Sequence, residues 1–435
     1  MMLISILAFI TAGWVLGILL WLVFLKKLLF DPRVYVLYGM MHWLLIAQLG
    51  TLLGYQFYEV KPYFDEATHA KAAIIILSAI VSFLMGYSLV LQDMRSKRKQ
   101  MKNRKSHSYE INTKKLAFIT LFMGIVGLSV LYFFQKHPFL IKQFLFLPFL
   151  LTYLSISATV CASYILIIRR RDLRGMAGMG LKFILWMIVL VTIIMSNIAF
   201  VYPLFALIYW WFNSKKVQIK EIITFPKRTT WRSILILVTL IWCVGVISVI
   251  SKIGIQRSIA QGELVSLEAT KKELVHRLIT LDLFNVENYG IVLHVIEMYA
   301  DSGNYLLGKS LLVIIPFLRF VWSDIRGFGR IMFLDVYGPS YETVNVSWAI
   351  PPIGELIANF SYPAVIFFYF FLGLACRYLH YQYQRSNNEV YLAFYSTVLL
   401  WLFLQQRGDF LNGNIYPAYV TFTVSIAFWL CRKKR

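Results

Sequence analysis

Long apolar stretches constrain the fold of this chain more than any other feature of its sequence. Segments of about 20 hydrophobic residues recur along the whole chain, and 59% of its 435 residues are hydrophobic while only 15% are charged. An apolar helix of about 20 residues crosses a bilayer, whereas a transmembrane strand needs only about 10 residues of alternating polarity. The sequence therefore predicts an all-α, polytopic integral membrane protein.

The apolar stretches divide into about eleven predicted transmembrane helices. One continuous apolar run of roughly 30 residues is long for a single crossing, and we divide it at Ser196-Asn197, whose side chains favour a turn. The helices flank one large predicted extracytoplasmic loop, so the regions are 1–253 with helices 1–8, 254–354 as the loop, and 355–435 with helices 9–11. The predicted spans are 3–25, 34–54, 72–91, 116–134, 144–168, 180–196, 198–212, 233–253, 363–379, 388–404 and 415–431.

Positive charges alternate between successive loops. Cytoplasmic loops of membrane proteins carry an excess of Lys and Arg, so this alternation predicts an outside N-terminus and a cytoplasmic C-terminus. The Lys and Arg residues of the cytoplasmic loops explain the net charge of +22, and the sequence contains no signature of nucleic-acid binding. Every second loop, together with the C-terminal segment, is rich in Lys and Arg, and the short loops between them hold few of these residues. The cation-rich segments are 26–33, 95–115, 169–182, 215–232, 377–385 and 432–435.

The predicted loop 254–354 is the long polar segment of the chain. Of the 21 acidic residues in the whole chain, 11 lie between Glu263 and Glu355, within this loop and at its exit. Loops of this length are usually functional. Residues 263–283 have helical periodicity, and the apolar, proline-broken segment 310–318 is predicted to lie in the membrane interface. We therefore expect chemistry in this loop and at the helix ends that face it.

The segment Gly-Asn-Tyr-Leu-Leu-Gly-Lys-Ser (303–310) matches the letters of a phosphate-binding P-loop. A true P-loop follows a strand, opens a helix and meets nucleotide on its side of the membrane. This segment lies in the predicted outer loop without a βαβ pattern, so we interpret the match as chance. The seven histidines lack ligand spacing and the four cysteines lie in apolar stretches, so neither a metal site nor a cofactor is predicted.

Arginines and carboxylates of the predicted outer face are the candidate site residues. Arginine makes bidentate, charge-assisted hydrogen bonds to a diphosphate, and a carboxylate can take a proton from a sugar hydroxyl. Together they would serve glycosyl transfer from a lipid-diphosphate donor to a hydroxyl acceptor. The candidate catalytic residues are Glu355, Arg319, Arg407 and Asp409, and the candidate residues for binding the diphosphate or glycan are Arg257, Arg326, Arg330 and Asn359.

Several of these residues also have a structural interpretation. Glu355 follows two prolines and could be a favourable charge in the first turn of a helix. Arg407 could extend to lipid phosphates, and other loop charges could form solvated ion pairs. On a helix, Asn359 would lie one turn from Glu355 on the same face, and Pro363 suits the first turn of the next span. We therefore predict that 353–361 is a separate short helix or re-entrant segment.

Four segments in chain order carry a family resemblance: Gly-Lys-Ser-Leu-Leu-Val-Ile-Ile-Pro-Phe-Leu-Arg-Phe-Val-Trp (308–322), Ile-Gly-Glu-Leu-Ile-Ala-Asn-Phe (353–360), Phe-Leu-Gly-Leu (371–374) and Arg-Gly-Asp-Phe (407–410). With the predicted topology, they resemble bacterial oligosaccharide repeat-unit polymerases, the Wzy type of O-antigen and capsule synthesis. The resemblance implies an undecaprenyl-diphosphate-linked glycan as donor. It also implies transfer of the growing chain to a new lipid-linked repeat unit outside the cytoplasmic membrane, with the family's outer-face arginines at Arg319 and Arg407.

The resemblance has further implications and some departures. The donor diphosphate carries the energy of transfer, so no nucleotide or metal is implied. The implied partners are membrane lipid, a chain-length regulator and a repeat-unit flippase, and the site would face the periplasm or exterior. Unlike related polymerases, the chain has no arginine near Ser196-Asn197, and its Trp-Ser-Asp-Ile-Arg (322–326) lacks two prolines.

Two alternatives to a polymerase remain. One is an O-antigen ligase-type glycosyltransferase, which transfers finished glycan to another acceptor and differs little in sequence. The other is a polysaccharide flippase or transporter. Transporters tend to have internal repeats and charged residues at mid-membrane, whereas this chain has no clear repeat and few ionisable residues, such as His42, inside its predicted spans.

Overall fold

The apolar stretches form helices, and these helices make up most of the described residues. The computed structural model of the protein describes residues 2–25, 31–54, 64–89, 109–136, 147–167, 169, 172–173, 176–195, 286–314, 327–338, 350–385, 389–406, 408 and 416–434. The helices are α1 (Met2–Leu20), α2 (Pro32–Met40), α3 (Ile46–Leu52), α4 (Glu66–Leu89), α5 (Thr113–Lys136), α6 (Leu147–Ile167), α7 (Met176–Met195), α8 (Val286–Val295), α9 (Phe328–Tyr337), α10 (Pro352–Arg385), α11 (Glu389–Leu404) and α12 (Tyr416–Leu430).

Short irregular pieces continue or join these helices. π-helical turns extend α1 over Trp21–Leu25, join α2 to α3 over Met41–Leu45, and extend α8 over Ile296–Asp301. A 3₁₀ turn covers Lys309–Ile314. Two short strands, β1 (Tyr109–Ile111) and β2 (Arg432–Lys434), form an antiparallel pair.

The predicted membrane character agrees with these helices. Nine of the eleven predicted spans fall on described helices, and the spans 198–212 and 233–253 lie outside the described residues. The division at Ser196-Asn197 and the helical periodicity of 263–283 also lie outside them. Within the described residues, five helical segments are long and apolar enough to cross a membrane: Ile4–Val23, Pro32–Leu52, Glu66–Leu89, Thr113–Val130 and Pro352–Gln384.

Helices α4 and α10 pack with their backbones in contact. A Cβ atom on Gly86 would clash with the carbonyl oxygen of Phe370, and one on Gly373 would clash with the carbonyl oxygen of Phe83. Small residues allow this approach, which replaces side-chain packing by close backbone packing between membrane helices. Gly86 and Gly373 both lie in the second halves of their helices.

One end of the bundle, which we call the β end, gathers segments from distant parts of the sequence. Strand β1 precedes α5, and it pairs with β2 after α12, where Asn112 N donates to Cys431 O at 2.8 Å. Beside them, Thr113 Oγ1 donates to Asp172 Oδ2 at 2.6 Å. The cation-rich segments 95–115, 169–182 and 432–435 therefore meet at this end through their described residues.

The opposite end, which we call the Glu355 end, holds the start of α4, the start of α10 and the turn after α8. Lys71 forms an ion pair with Asp301 at 2.6 Å, and both side chains are partly exposed. Deeper in the bundle, the Tyr289 hydroxyl and the His69 Nδ1 atom lie 3.2 Å apart. These contacts fix the described parts of the predicted outer loop against the membrane helices.

Helix α10 is longer than the predicted span 363–379. It continues to Arg385, beyond the end of the predicted span at Leu379. The predicted span ended before the polar stretch 380–385, whereas helical hydrogen bonds continue where neighbouring helices pack against the chain.

Candidate functional site

Helix α10 is divided by a kink at Ser361. This residue has φ 69° and ψ −176°, so the helical piece that begins at Pro352 ends at Phe360, and a second piece continues through Pro363. Proline favours the first turn of a helix and lacks the N–H that a continuous helix would use. The structure thus confirms that 353–361 is separated from the following span, as Pro363 predicted.

The strained residue at the kink is held by the preceding loop. A non-glycine residue with positive φ costs on the order of 1 kcal/mol and persists only where its surroundings fix it. The Tyr305 hydroxyl lies 3.1 Å from Ser361 Oγ, to which it donates, and 3.3 Å from Ala300 O. The kink and the loop that follows α8 therefore stabilise each other.

Glu355 and Asn359 meet Ser310 in a buried polar cluster, which we call the Glu355 cluster. Ser310 Oγ donates to Glu355 Oε1 at 2.6 Å, and Asn359 Nδ2 donates to Ser310 Oγ at 2.8 Å. Asn359 Nδ2 also donates to the Glu355 carbonyl oxygen at 2.8 Å. All three side chains are almost completely buried, with exposed fractions of 2% or less.

The loop 303–310 closes over the short helix at Asn359. The N–H of Gly308 donates to Asn359 Oδ1 at 2.9 Å, and the N–H of Leu306 donates to Ala358 O at 2.8 Å. Gly308 has φ +85°, and a Cβ atom there would lie 3.3 Å from the Phe360 ring, so glycine is required for this approach. With its two N–H groups and its oxygen engaged, the Asn359 amide connects the loop to the helix.

The structure around residues 303–310 tests whether the segment with P-loop letters is a P-loop. The residues before them are helical over Val286–Asp301, not a strand, and the residues after them form a 3₁₀ turn. The Ser310 hydroxyl, which would bind Mg²⁺ in a P-loop, donates to Glu355. This segment has the letters of a P-loop without its strand–loop–helix structure.

Further polar and aromatic residues surround the Glu355 cluster. The Tyr299 hydroxyl donates to Asp335 Oδ2 at 2.6 Å, which ties the extension of α8 to α9. In α9, which contacts the 3₁₀ turn, the Arg330 guanidinium lies over the Phe333 ring with Cζ 5.4 Å from the ring centroid. Arg330 is only partly buried.

The structure therefore brings together only some of the predicted site residues. Glu355 and Asn359 are in one cluster, and Arg330 lies on the helix next to the 3₁₀ turn that carries Ser310. Ser310, which lies in the segment 308–322, was not predicted to be a partner of Glu355. The predicted residues Arg257, Arg319, Arg326, Arg407 and Asp409 lie outside the described residues.

A second buried polar cluster lies at the β end and was not predicted. Asp31 caps α2 by accepting from Arg33 N, and Arg33 Nη2 approaches Asp31 Oδ2 to 2.8 Å. Tyr87 of α4 donates to the same oxygen at 3.1 Å, and His380 Nε2 of α10 lies 3.7 Å from it. His380 Nδ1 in turn lies 2.7 Å from the Tyr395 hydroxyl of α11.

Asp31 is the centre of this second cluster and is 1% exposed. Burial alone raises the pKa of Asp31, but the hydrogen bonds and charge of Arg33 outweigh burial, so the pKa lies below that of an ordinary aspartate. The residues come from α2, α4, α10 and α11, and the first two of these helices are distant in sequence from the last two. No local pattern could have revealed their contact.

Comparisons with protein-family models, with curated proteins and with solved structures find no match for the chain. Within the described residues there is no group of three or more His, Cys, Asp or Glu side chains that could hold a metal ion. The chemistry available at the Glu355 end is that of a buried carboxylate that accepts from the Ser310 hydroxyl, which in turn accepts from the Asn359 amide. Such a carboxylate acts as a base when a substrate hydroxyl comes within about 3 Å.

Proposed function

We propose that the chain polymerises undecaprenyl-diphosphate-linked oligosaccharide repeat units into O-antigen, capsule or exopolysaccharide. In this reaction the bond between the growing glycan and its lipid diphosphate breaks. A new glycosidic bond forms to a hydroxyl of the next lipid-linked repeat unit, and undecaprenyl diphosphate leaves. The proton of the attacking hydroxyl passes to a carboxylate base.

The observation that carries this proposal is the contact between two segments that resemble separate polymerase motifs. Ser310 belongs to the segment 308–322 and Glu355 to the segment 353–360, and a 2.6 Å hydrogen bond joins them. Gly308 and Asn359 join the same two segments at 2.9 Å. Motif segments that contribute to one active site are expected to converge in this way, and these two converge at the end of membrane-crossing helices.

The proposed roles follow from residue chemistry. Arg319 and Arg407 would bind the donor diphosphate and stabilise the charge that builds on it as it leaves. Arg257, Arg326 and Arg330 would bind further phosphate or glycan oxygens. Glu355 would serve as the base or shape the cavity in which the sugar hydroxyl is positioned, and Asp409 would assist next to Arg407.

The proposed topology has eleven transmembrane helices, an outside N-terminus and a cytoplasmic C-terminus. Its support is the alternation of cationic loops together with the meeting of 95–115, 169–182 and 432–435 at one end of the bundle. In the proposed topology, the β end would lie in the cytoplasm and the Glu355 end at the outer face. Lipid-linked glycans would reach that face through a repeat-unit flippase, and a chain-length regulator would bind nearby.

Arginine variants test the proposal in cells that depend on this protein for polymer. We expect Arg319→Ala and Arg407→Ala each to abolish long-chain glycan while the protein still reaches the membrane. Lys309→Ala is the matched control, because this cation of the same loop is exposed and makes no ion pair with a described residue. A normal glycan ladder in both arginine variants would contradict the diphosphate-binding role.

The same cells distinguish the alternatives. An O-antigen ligase would leave lipid-linked polymer intact when it is inactivated, and only its transfer to the final acceptor would stop. A flippase would leave single lipid-linked repeat units at the cytoplasmic face. Inactivation of a polymerase leaves single repeat units that have crossed the membrane and have not been joined.

A further inference from the structure

The second buried polar cluster, around Asp31, brings two arginines to one aromatic ring. Arg377 of α10 lies beside the ring of Tyr87, with its Cζ atom 5.3 Å from the ring centroid. Arg33 of α2 lies over the same ring, with its Cζ atom 4.5 Å from the centroid. The fold therefore holds two positive charges close together, next to a single aspartate.

Asp31 is fully engaged by Arg33 and Tyr87. Its Oδ1 atom accepts from the backbone N–H and from Nε of Arg33, both at 3.0 Å. Its Oδ2 atom accepts from Arg33 Nη2 at 2.8 Å and from the Tyr87 hydroxyl at 3.1 Å. An ionised carboxylate offers about four lone-pair sites, and these four bonds occupy them. The positive charge of a second arginine is consequently in excess in this cluster.

Arg377 carries that excess charge. Among the described residues, no carboxylate forms an ion pair with Arg377. Its Nε atom is buried without a hydrogen-bond partner, while the side chain as a whole is partly exposed. The guanidinium charge is delocalised, so an anion at the terminal nitrogens would neutralise the buried nitrogen as well. An unpaired charge in a membrane-crossing helix is costly, and it indicates a site whose partner is a ligand.

The cluster lies at the depth of lipid phosphates. The membrane-crossing segment Pro32–Leu52 begins directly before Arg33, and the segment Glu66–Leu89 ends just beyond Tyr87. Both residues are therefore within about 3 Å of a helix end, measured along the helix axis. In α10 the second arginine is followed by Tyr378, which is 54% exposed. Exposed tyrosines are enriched where membrane helices meet the lipid headgroups.

We propose that Arg377, with Arg33 beside it, binds a phosphate group at this end of the bundle, and that an anionic phospholipid supplies it. Arginine binds phosphate oxygens through paired, charge-assisted hydrogen bonds, and basic pockets between membrane helices bind anionic headgroups. The Tyr87 ring holds both guanidinium groups in place. This site is separate from the Glu355 cluster and does not rest on the proposed function.

Lipid binding to the full-length protein in a nonionic detergent tests the site. The probe is phosphatidylglycerol with a fluorescent acyl chain, and the comparison probe is phosphatidylcholine with the same chain, whose choline cation offsets its phosphate. We expect the parent protein to bind phosphatidylglycerol about tenfold more tightly than phosphatidylcholine. Arg377→Gln should weaken binding of phosphatidylglycerol about tenfold, because the charge-assisted bonds to the phosphate are lost.

Two further variants make the test specific. Lys433→Gln removes the same charge from an exposed lysine of β2 at the same end of the bundle, and it should bind phosphatidylglycerol as the parent does. Arg377→Lys keeps the charge without the planar fork, so its affinity should lie between those of the parent and Arg377→Gln. Equal losses in Arg377→Gln and Lys433→Gln would overturn the proposal and indicate general attraction to a cationic surface. If Arg377→Gln does not fold, equal affinities of Arg377→Lys and the parent would overturn it.

Inorganic phosphate distinguishes a lipid headgroup from a free anion. Binding of phosphatidylglycerol that millimolar inorganic phosphate does not displace would support the phospholipid as the ligand. Inorganic phosphate that displaces the lipid and raises the unfolding midpoint of the parent, but not of Arg377→Gln, would support the phosphate site and reject the phospholipid as its source. Absence of binding by both ligands would overturn the site itself.

Discussion

The hydroxyl of Ser310 donates a 2.6 Å hydrogen bond to the carboxylate of Glu355, across a separation of 45 residues in the sequence. Both side chains are buried, with exposed fractions of 2% and 1%. A carboxylate at the start of a membrane-crossing helix is costly unless it is hydrogen-bonded. The loop that carries Ser310 supplies a hydrogen bond that offsets part of this cost.

Ser310→Ala should destabilise the Glu355 end. The substitution removes a hydrogen bond to a charged group, which is worth about 1.5–3 kcal/mol, and it also removes the acceptor of Asn359. We expect a lower unfolding midpoint in detergent and a shorter glycan ladder in cells. Ser302→Ala is the control, because Ser302 is an exposed serine of the same loop. An unchanged midpoint for Ser310→Ala would show that the bond contributes nothing.

Asn359→Asp should have a larger effect than Ser310→Ala. It removes both N–H donors of the amide and adds a second carboxylate next to Glu355 in a buried site. An uncompensated buried charge costs about 3–5 kcal/mol, so we expect little folded protein at neutral pH. Asn304→Asp makes the same change at an exposed position of the loop and should leave the yield of folded protein unchanged. Equal yields for the two variants, measured by size-exclusion chromatography, would contradict the buried arrangement.

Gly373→Leu should separate α4 from α10. Its side chain has no space against the backbone of Phe83 and Tyr87, and overpacking typically costs about 1–3 kcal/mol or more when backbone must move. Gly17→Leu is the matched control, because a Cβ atom on Gly17 of α1 would meet no neighbouring atom. Thermal unfolding should show a lower midpoint for Gly373→Leu alone. Equal midpoints would mean that the two helices are not in backbone contact.

Asp31 should make the protein sensitive to acid. Because its folded pKa lies below its ordinary value of 3.8, the carboxylate contributes stability above that pH, and this contribution is lost as the pH falls through the folded pKa. Asp31→Asn should destabilise the protein near neutral pH by about 3–5 kcal/mol, since it leaves the Arg33 charge without its partner. The variant should also lose less stability than the parent between about pH 5 and pH 3.

Asp301→Asn is the control for Asp31→Asn. The ion pair of Asp301 with Lys71 is partly exposed, and such pairs contribute about 0–1 kcal/mol. Unfolding midpoints measured from neutral to acid pH separate the two variants. Equal midpoints at neutral pH, or parallel acid profiles for Asp31→Asn and the parent, would contradict the role of Asp31.

How far the sequence predicts the structure depends on the range of the interaction. Apolar length predicted the described membrane helices, and Pro363 predicted the break before the ninth span, because both signals are local. Helical spacing placed Glu355 and Asn359 on one face, which the structure confirms because both side chains bond Ser310 Oγ. The contact of Glu355 with Ser310 and the cluster around Asp31 depend on how distant helices pack. A single sequence carries no local signal for such contacts.

The most direct measurement of the central claim is elongation by the purified protein. The full-length chain is reconstituted in liposomes with purified undecaprenyl-diphosphate-linked repeat units and no nucleotide, and the products are separated by length. We expect a ladder of longer lipid-linked chains and release of undecaprenyl diphosphate. Single repeat units that remain unjoined, whether or not they cross the membrane, would contradict it.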